Sequence, residues 1–224
     1  MQHPSGIDPK VVAKVVARRG RLHAFETLAP IRTALVVIDL MQASIENDET
    51  CQGLVPPVTT IAAALRGSGG TIAWVTAAPE CANAPIMRAI HGEARQRGFA
   101  EAAREDDPRS RLCPEFSPAE NDIQVFKRGY SAFFPGHCDL HALLAQRGID
   151  TLLIAGTVTN VCCESSVRDA VELGYRVIMI SDANIGHARG LHEASLTTIY
   201  RSFGDVRPTA EILGLIAAGS PKAA

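Results

Sequence analysis

The feature that most constrains this chain is a series of short apolar runs, rich in β-branched residues, each ending in a turn or a charged side chain. They are Thr33-Ala-Leu-Val-Val-Ile-Asp39, Thr71-Ile-Ala-Trp-Val-Thr76, Asp122-Ile-Gln-Val-Phe-Lys127, Thr151-Leu-Leu-Ile-Ala155 and Arg176-Val-Ile-Met-Ile-Ser-Asp182. A run without polar alternation has no solvent face, so it reads as a strand covered on both sides, as in a parallel sheet. Helical patterns lie between the runs, over 56–65, 86–97, 139–147 with Asp139 as its cap, the segment after Asn160, 190–203 and 208–218. Strands alternating with helices predict an α/β fold with five strands: an open, mostly parallel sheet with helices on both faces, a Rossmann-like three-layer sandwich.

In a parallel sheet the C-terminal strand ends share one edge, and ligands bind outside it. Three of these ends carry chemistry. Asp39 ends the first run and Lys127 the third, while the fourth leads through Gly156–Asn160 into a helical segment that opens with Cys162 and Cys163. Cys163 is in helical phase with Val167, Ala170 and Val171, so it is expected in the core. Cys162 is in phase with Ser165, Ser166 and Asp169 and points off the core face, which makes it the candidate nucleophile. A helix start favours the thiolate. An acid, a cation and a thiol at one edge suit acyl transfer: the carboxylate takes the thiol proton and the ammonium offsets the developing charge. Each residue also has an ordinary role open to it, the aspartate capping a turn, the lysine reaching into water, and both cysteines packing as small apolar groups.

Several function classes are disfavoured. A formal charge of −2 and a pI near 6.4 give no general attraction to nucleic acid or anionic membrane. No stretch approaches the ~18 consecutive apolar residues of a membrane span. The seven histidines form no H-x-H or H-E-x-x-H, so neither a metal nor another cofactor is expected, and no G-x-G-x-x-G follows the first strand. The six cysteines, Cys51, Cys81, Cys113, Cys138, Cys162 and Cys163, form no C-x-x-C pair, and the start of the chain does not read as a signal peptide. Reduced thiols in a cytoplasmic protein are expected. Residues 1–30, with a basic helix over Pro9–Arg19, read as an N-terminal helical arm, solvated or packed on a partner, and 31–218 as the main domain. Loops 41–54, 77–117 and 128–137 are expected to shape a pocket. Asp182 is expected to make structural hydrogen bonds.

Three stretches also resemble the isochorismatase-like cysteine hydrolases, which include nicotinamidases, N-carbamoylsarcosine amidohydrolases and ureidoacrylate or biuret hydrolases. They are Ala34-Leu-Val-Val-Ile-Asp39; Phe126-Lys127 with Tyr130-Ser-Ala-Phe-Phe134; and Gly156-Thr-Val-Thr-Asn-Val-Cys162 through Arg168-Asp-Ala170. The resemblance implies a triad of Asp39, Lys127 and Cys162, a cis peptide between Thr157 and Val158, and an oxyanion hole from the amides of Val158 and Cys162. Gln42, Trp74, Tyr130, Phe133, Phe134 and Asn160 are candidates for the pocket wall. Two departures narrow the class. Gln42 stands one place later than the family's Asp-x-Gln, and no Asp-x-His-x-His cluster is present, which disfavours a metal-dependent nicotinamidase. The cysteine itself disfavours the vinyl-ether hydrolysis of true isochorismatases. The implied activity is hydrolysis of a small amide or ureido (carbamoyl) compound through a thioester, releasing ammonia or an amine, by a homo-oligomer (dimer or tetramer) with Ala77–Ser117 as its contact. The rival is a thiol-based redox or binding protein using Cys162 and Cys163 on an idle scaffold.

Overall fold

The computed structural model describes residues 3, 5–46, 48–79, 85–104 and 106–220. In chain order it contains α1 (Pro9–Arg19), β1 (Thr33–Ile38), α2 (Gln42–Glu46), α3 (Glu49–Gln52), α4 (Val55–Gly67), β2 (Thr71–Ala77), α5 (Pro85–His91) and α6 (Glu93–Ala102). There follow β3 (Ile123–Lys127), α7 (Leu140–Gln146), β4 (Thr151–Thr157), a π-helical turn (Thr159–Cys163), α8 (Glu164–Glu172), β5 (Arg176–Ile185), α9 (Arg189–Ser202), β6 (Asp205–Arg207) and α10 (Thr209–Gly219). Among the described residues the strands form one sheet, in the order β3-β2-β1-β4-β5-β6, with every pairing parallel.

Period-two alternation along β1 explains the layers. Ala34, Val36 and Ile38 enter a core shared with Val12 and Val15 of α1, Leu144 of α7, Val167 of α8 and Ile199 of α9. Leu35 and Val37 enter the opposite core, with Val58, Ile61 and Leu65 of α4 and Ile212 and Ile216 of α10. Each fully covered Leu, Ile or Val contributes roughly 1.5–3 kcal/mol relative to exposure. The register sets Ile38 beside Val75 on one side and Gly156 on the other, and Ala77 beside Lys127. The chemistry-bearing strand ends therefore lie along one edge. At Gly156 (φ 128°) a Cβ would lie 2.1 Å from the Ile38 carbonyl oxygen, so only glycine lets β4 approach β1 there.

Four expectations change. Asp205–Arg207 is a sixth strand, too short to register as an apolar run, paired with Ile178–Ile180 of β5. The helix expected over 86–97 is two helices, separated at Gly92 in a left-handed conformation (φ 78°). Asp139 occupies the cap position of α7 without a side-chain bond to the helix; its backbone carbonyl instead accepts from Leu143. The N-terminal segment is not a solvated arm. Val12 and Val15 sit in the core, Arg18 donates to the Arg201 carbonyl, the Tyr200 hydroxyl to the Leu22 carbonyl, and the Arg19 guanidinium lies over the Tyr200 ring. One apolar stripe on α1 is enough to dock it on α9. No helix among the described residues is long and apolar enough to cross a membrane.

Candidate active site

Asp39 follows β1 directly, with a left-handed backbone (φ 55°) and its amide bonded to the Val75 carbonyl at 2.9 Å. Asp is among the few side chains that tolerate this region. Lys127, the last residue of β3, reaches back under the edge. Its Nζ lies 2.9 Å from Asp39 Oδ2, 3.0 Å from the Gly129 carbonyl and 3.6 Å from Cys162 Sγ. Lys127 and Asp39 are both buried, at 2% and 8% exposure. Asp39 Oδ1 is buried with no hydrogen-bond partner among the described residues, leaving it an open acceptor.

Cys162 lies in the π-helical turn Thr159–Cys163 rather than in the first turn of an α-helix. Burial, then the neighbouring Asp39 carboxylate, push its thiol up to about 12, against the opposing pull of Lys127. This corrects the expectation of a thiolate favoured by a helix start: removal from water and the adjacent carboxylate outweigh the positive field. These effects favour the thiol over the thiolate. Cys163 is wholly buried among core residues, and that burial pushes its thiol well above the ordinary value. The Thr157–Val158 peptide is cis, and the Val158 carbonyl accepts from Val161 at 3.0 Å and Cys163 at 3.3 Å.

The expected pocket residues divide. Trp74 is a core residue: its Nε1 donates to Asp122 Oδ2 at 2.9 Å and its ring lies 5.5 Å from Phe116. Phe133 is likewise buried, its ring 5.7 Å from Tyr175. Both lie in the layers between sheet and helices. Tyr130 and Phe134 are exposed on the loop after β3. The Tyr130 hydroxyl meets His91 Nε2 at 3.0 Å and Met87 Sδ at 3.2 Å, tying that loop to α5, and the Phe134 ring rests 4.8 Å from His137. Gln42 donates to Glu46 at 2.5 Å and lines a cavity of about 360 Å³ with Ile45, Glu46, Cys113, Pro114 and Glu115, which the triad does not border. Asn160 is in the π-helical turn, its Oδ1 buried without a partner among the described residues. Asp182 accepts from the Thr209 amide at 2.7 Å and hydroxyl at 2.8 Å, capping α10, a structural role as expected.

Three polar residues around the turn were not singled out as site residues from sequence. Ser166 was expected off the core face but is buried; its hydroxyl donates to the Cys162 carbonyl at 2.7 Å and accepts from the Ala132 amide at 2.9 Å, linking the turn to the loop after β3. Thr159 and His192 meet at 2.8 Å. A small hydroxylic residue four places after Cys162 is a signal for the first; the others are 33 residues apart and only folding joins them.

One group among the described residues has metal-ligand chemistry: His3, His23 and Asp205. Most of its polar atoms are engaged within the cluster, while His3 Nε2 is buried with no hydrogen-bond partner among the described residues. His23 lies between Asp205 (3.1 Å) and Glu211 (3.4 Å), Arg207 Nε is 3.4 Å from Asp205, and His3 Nδ1 accepts from the Ser5 amide. Burial pushes the Asp205 carboxyl up, yet the bonds and charges of His23 and Arg207 leave it below its ordinary value. Burial and the charge of His23 push His3 down to about 4. These contacts tie the N-terminal segment to β6 and α10. Cys51, Cys113, Cys138, Cys162 and Cys163 are free thiols; Cys81 lies outside the described residues.

Comparison with known proteins gives a consistent picture. Residues 33–211 match the isochorismatase domain family. The uncharacterized isochorismatase family protein YwoC of Bacillus subtilis (strain 168) is 34% identical over 182 residues, 81% of this chain and 93% of that protein. The ureidoacrylate amidohydrolase RutB of Klebsiella variicola (strain At-22) is 28% identical over 204 residues, 80% of this chain and 84% of that protein. A crystal structure of a cysteine hydrolase from Pseudomonas syringae pv. phaseolicola 1448A has a TM-score of 0.80 at 28% identity, over 89% of this chain and 99% of that one.

Proposed function

Since this chain belongs to the isochorismatase family, we propose that it hydrolyses the C–N bond of a small amide or ureido (carbamoyl) compound through a thioester on Cys162. The observation that carries this reading is the meeting of Asp39, Lys127 and Cys162 around one ammonium. The similarity to an amidohydrolase over most of the chain favours the C–N bond as the target.

Asp39 takes the thiol proton as Sγ attacks the carbonyl carbon, and the carbonyl electron pair moves to oxygen. The amides of Val158 and Cys162 hold that oxyanion; one such donor is typically worth about 3 kcal/mol in the transition state. Collapse breaks the C–N bond, and the leaving nitrogen takes the proton from Asp39. A water molecule, deprotonated by Asp39, then attacks the thioester, releasing the acid and returning a proton to sulfur. Lys127 pairs with Asp39 between steps and offsets the charge forming on sulfur. A thiol raised to about 12 needs such a base, and Asp39 Oδ1 is an open acceptor for the proton.

The rival redox reading is weaker, since it needs a low-pKa thiol, whereas burial and the Asp39 carboxylate push the half-buried Cys162 up and its neighbour Cys163 is sealed in the core. The reduced thiol fits a cytoplasmic setting. Self-association is favoured by Ile86 and Ile90 on α5, Phe126 on edge strand β3 and Phe134, all more than half exposed; light scattering giving a monomer would remove it. The function is tested by ammonia release from biuret, ureidoacrylate-like acids, N-carbamoyl amino acids, maleamate and nicotinamide, with wild type and Cys162→Ala. Turnover by wild type alone is expected; equal turnover by both would overturn the proposal.

A further inference from the structure

The π-helical turn that carries Cys162 is not held by its own backbone alone. Thr159, its first residue, is fully buried, and its Oγ1 lies 2.8 Å from His192 Nδ1, in the first turn of α9. The same helix reaches the Thr159 carbonyl through the Ser195 hydroxyl at 3.4 Å. A neutral imidazole has one donor and one acceptor nitrogen. The Thr159 hydroxyl can both donate and accept, so either tautomer completes the contact. Burial lowers the His192 pKa, which keeps the ring in that neutral form.

The space around this contact is closed. A Cβ on Gly186, just beyond β5, would lie 3.2 Å from Asn160 Oδ1 and 3.3 Å from His192 Cβ. The turn is therefore pressed between the end of β5 and α9, with Thr159 and His192 as its polar contact. Three residues along the turn, Cys162 Sγ must stay within reach of Lys127 and Asp39. A catalytic group displaced by about 1 Å can cost on the order of a hundredfold in rate.

We propose that His192, through the Thr159 hydroxyl, is a positioning residue that fixes the π-helical turn and so aims the Cys162 sulfur at the scissile carbonyl. The inference rests on Cys162 being the nucleophile. It gives α9, which carries none of Asp39, Lys127 and Cys162, a part in the reaction.

The test compares His192→Ala, Thr159→Val, the pair combined, and the conservative Thr159→Ser, using the best substrate of the amide panel. The first two variants are expected to lower kcat between about ten- and a hundredfold with KM little changed. The double variant should lose no more than the worse single one, because both remove one contact, and Thr159→Ser should retain activity. The labelling rate of Cys162 by iodoacetamide, read by peptide mass, should shift in His192→Ala and Thr159→Val but not in Thr159→Ser, and it needs no substrate. Wild-type kcat or labelling in His192→Ala, or additive losses in the double variant, would overturn the inference. Cys162→Ala is measured alongside. If it stays active, the nucleophile assignment has failed; if it is inactive while His192→Ala is unimpaired, the positioning role has failed.

Discussion

Lys127 and Asp39 form a 2.9 Å ion pair although they leave the sheet on strands that do not touch, with β2 between β3 and β1. Both charges are buried. Taking two ions out of water is costly, and removing one partner leaves the other uncompensated, typically at 3–5 kcal/mol. Lys127→Ala is therefore expected to lower stability by about 3 kcal/mol or more and to abolish ammonia release. Urea unfolding checks the first part; a loss below about 1 kcal/mol would mean that water reaches the pair.

The two adjacent cysteines are expected to behave differently. Cys163→Ala removes a buried sulfur and costs about 1–2 kcal/mol by cavity formation, with kcat retained within a few-fold. Cys162→Ala should fold normally and lose turnover. Thermal melts and steady-state kinetics on both variants separate packing from chemistry, and equal kinetic losses in both would contradict the assignment.

Gly156→Ala should be poorly tolerated. The added carbon would sit 2.1 Å from the Ile38 carbonyl in a backbone with φ 128°. Strain and forced separation of β1 from β4 predict a loss of at least about 2 kcal/mol, together with lower activity, since Asp39 and Cys162 follow those two strands. A melting temperature equal to wild type would contradict this.

Stability should fall in alkali. Cys51 and Cys113 are raised from 9.0 to about 11, mainly by burial, and Cys162 to about 12. Above pH 9 the unfolded chain gives up thiol protons that the folded chain keeps, so the stability present below pH 9 is progressively lost between pH 9 and 12, by at most ~1.4 kcal/mol per pH unit for each thiol. The urea midpoint should drop between pH 8 and pH 10, and less so in a Cys51→Ala/Cys113→Ala variant. An equal drop in both would assign the effect to other groups.

Much of the architecture was legible because the strands carry their burial in their composition: Thr33–Ile38 is covered on both faces and contains no solvent-facing residue. The strand-end logic likewise located Asp39, Lys127 and Cys162, since parallel strands deliver their C-terminal ends to one edge. What was not legible depends on long-range contact. β6 is three residues whose pairing comes from β5 rather than from its own pattern. Trp74 and Phe133 read as pocket candidates because an aromatic beside a polar loop looks the same in sequence whether it faces a ligand or, as for Trp74, a buried Asp122. The raised Cys162 thiol reverses the local expectation because burial, and then the carboxylate of Asp39, 123 residues earlier, act on it. The partnership of His192 with Thr159 has no local signature.

The most direct test of the account is to look for the covalent intermediate. Wild-type protein turning over its best amide would be quenched in acid within one turnover, and the peptide containing Cys162 weighed. The account predicts an acyl group on Cys162 equal to the substrate less its leaving ammonia or amine, labile to hydroxylamine and missing from Cys162→Ala. Turnover with no acyl group on that peptide, and with Cys162→Ala still releasing ammonia, would contradict it.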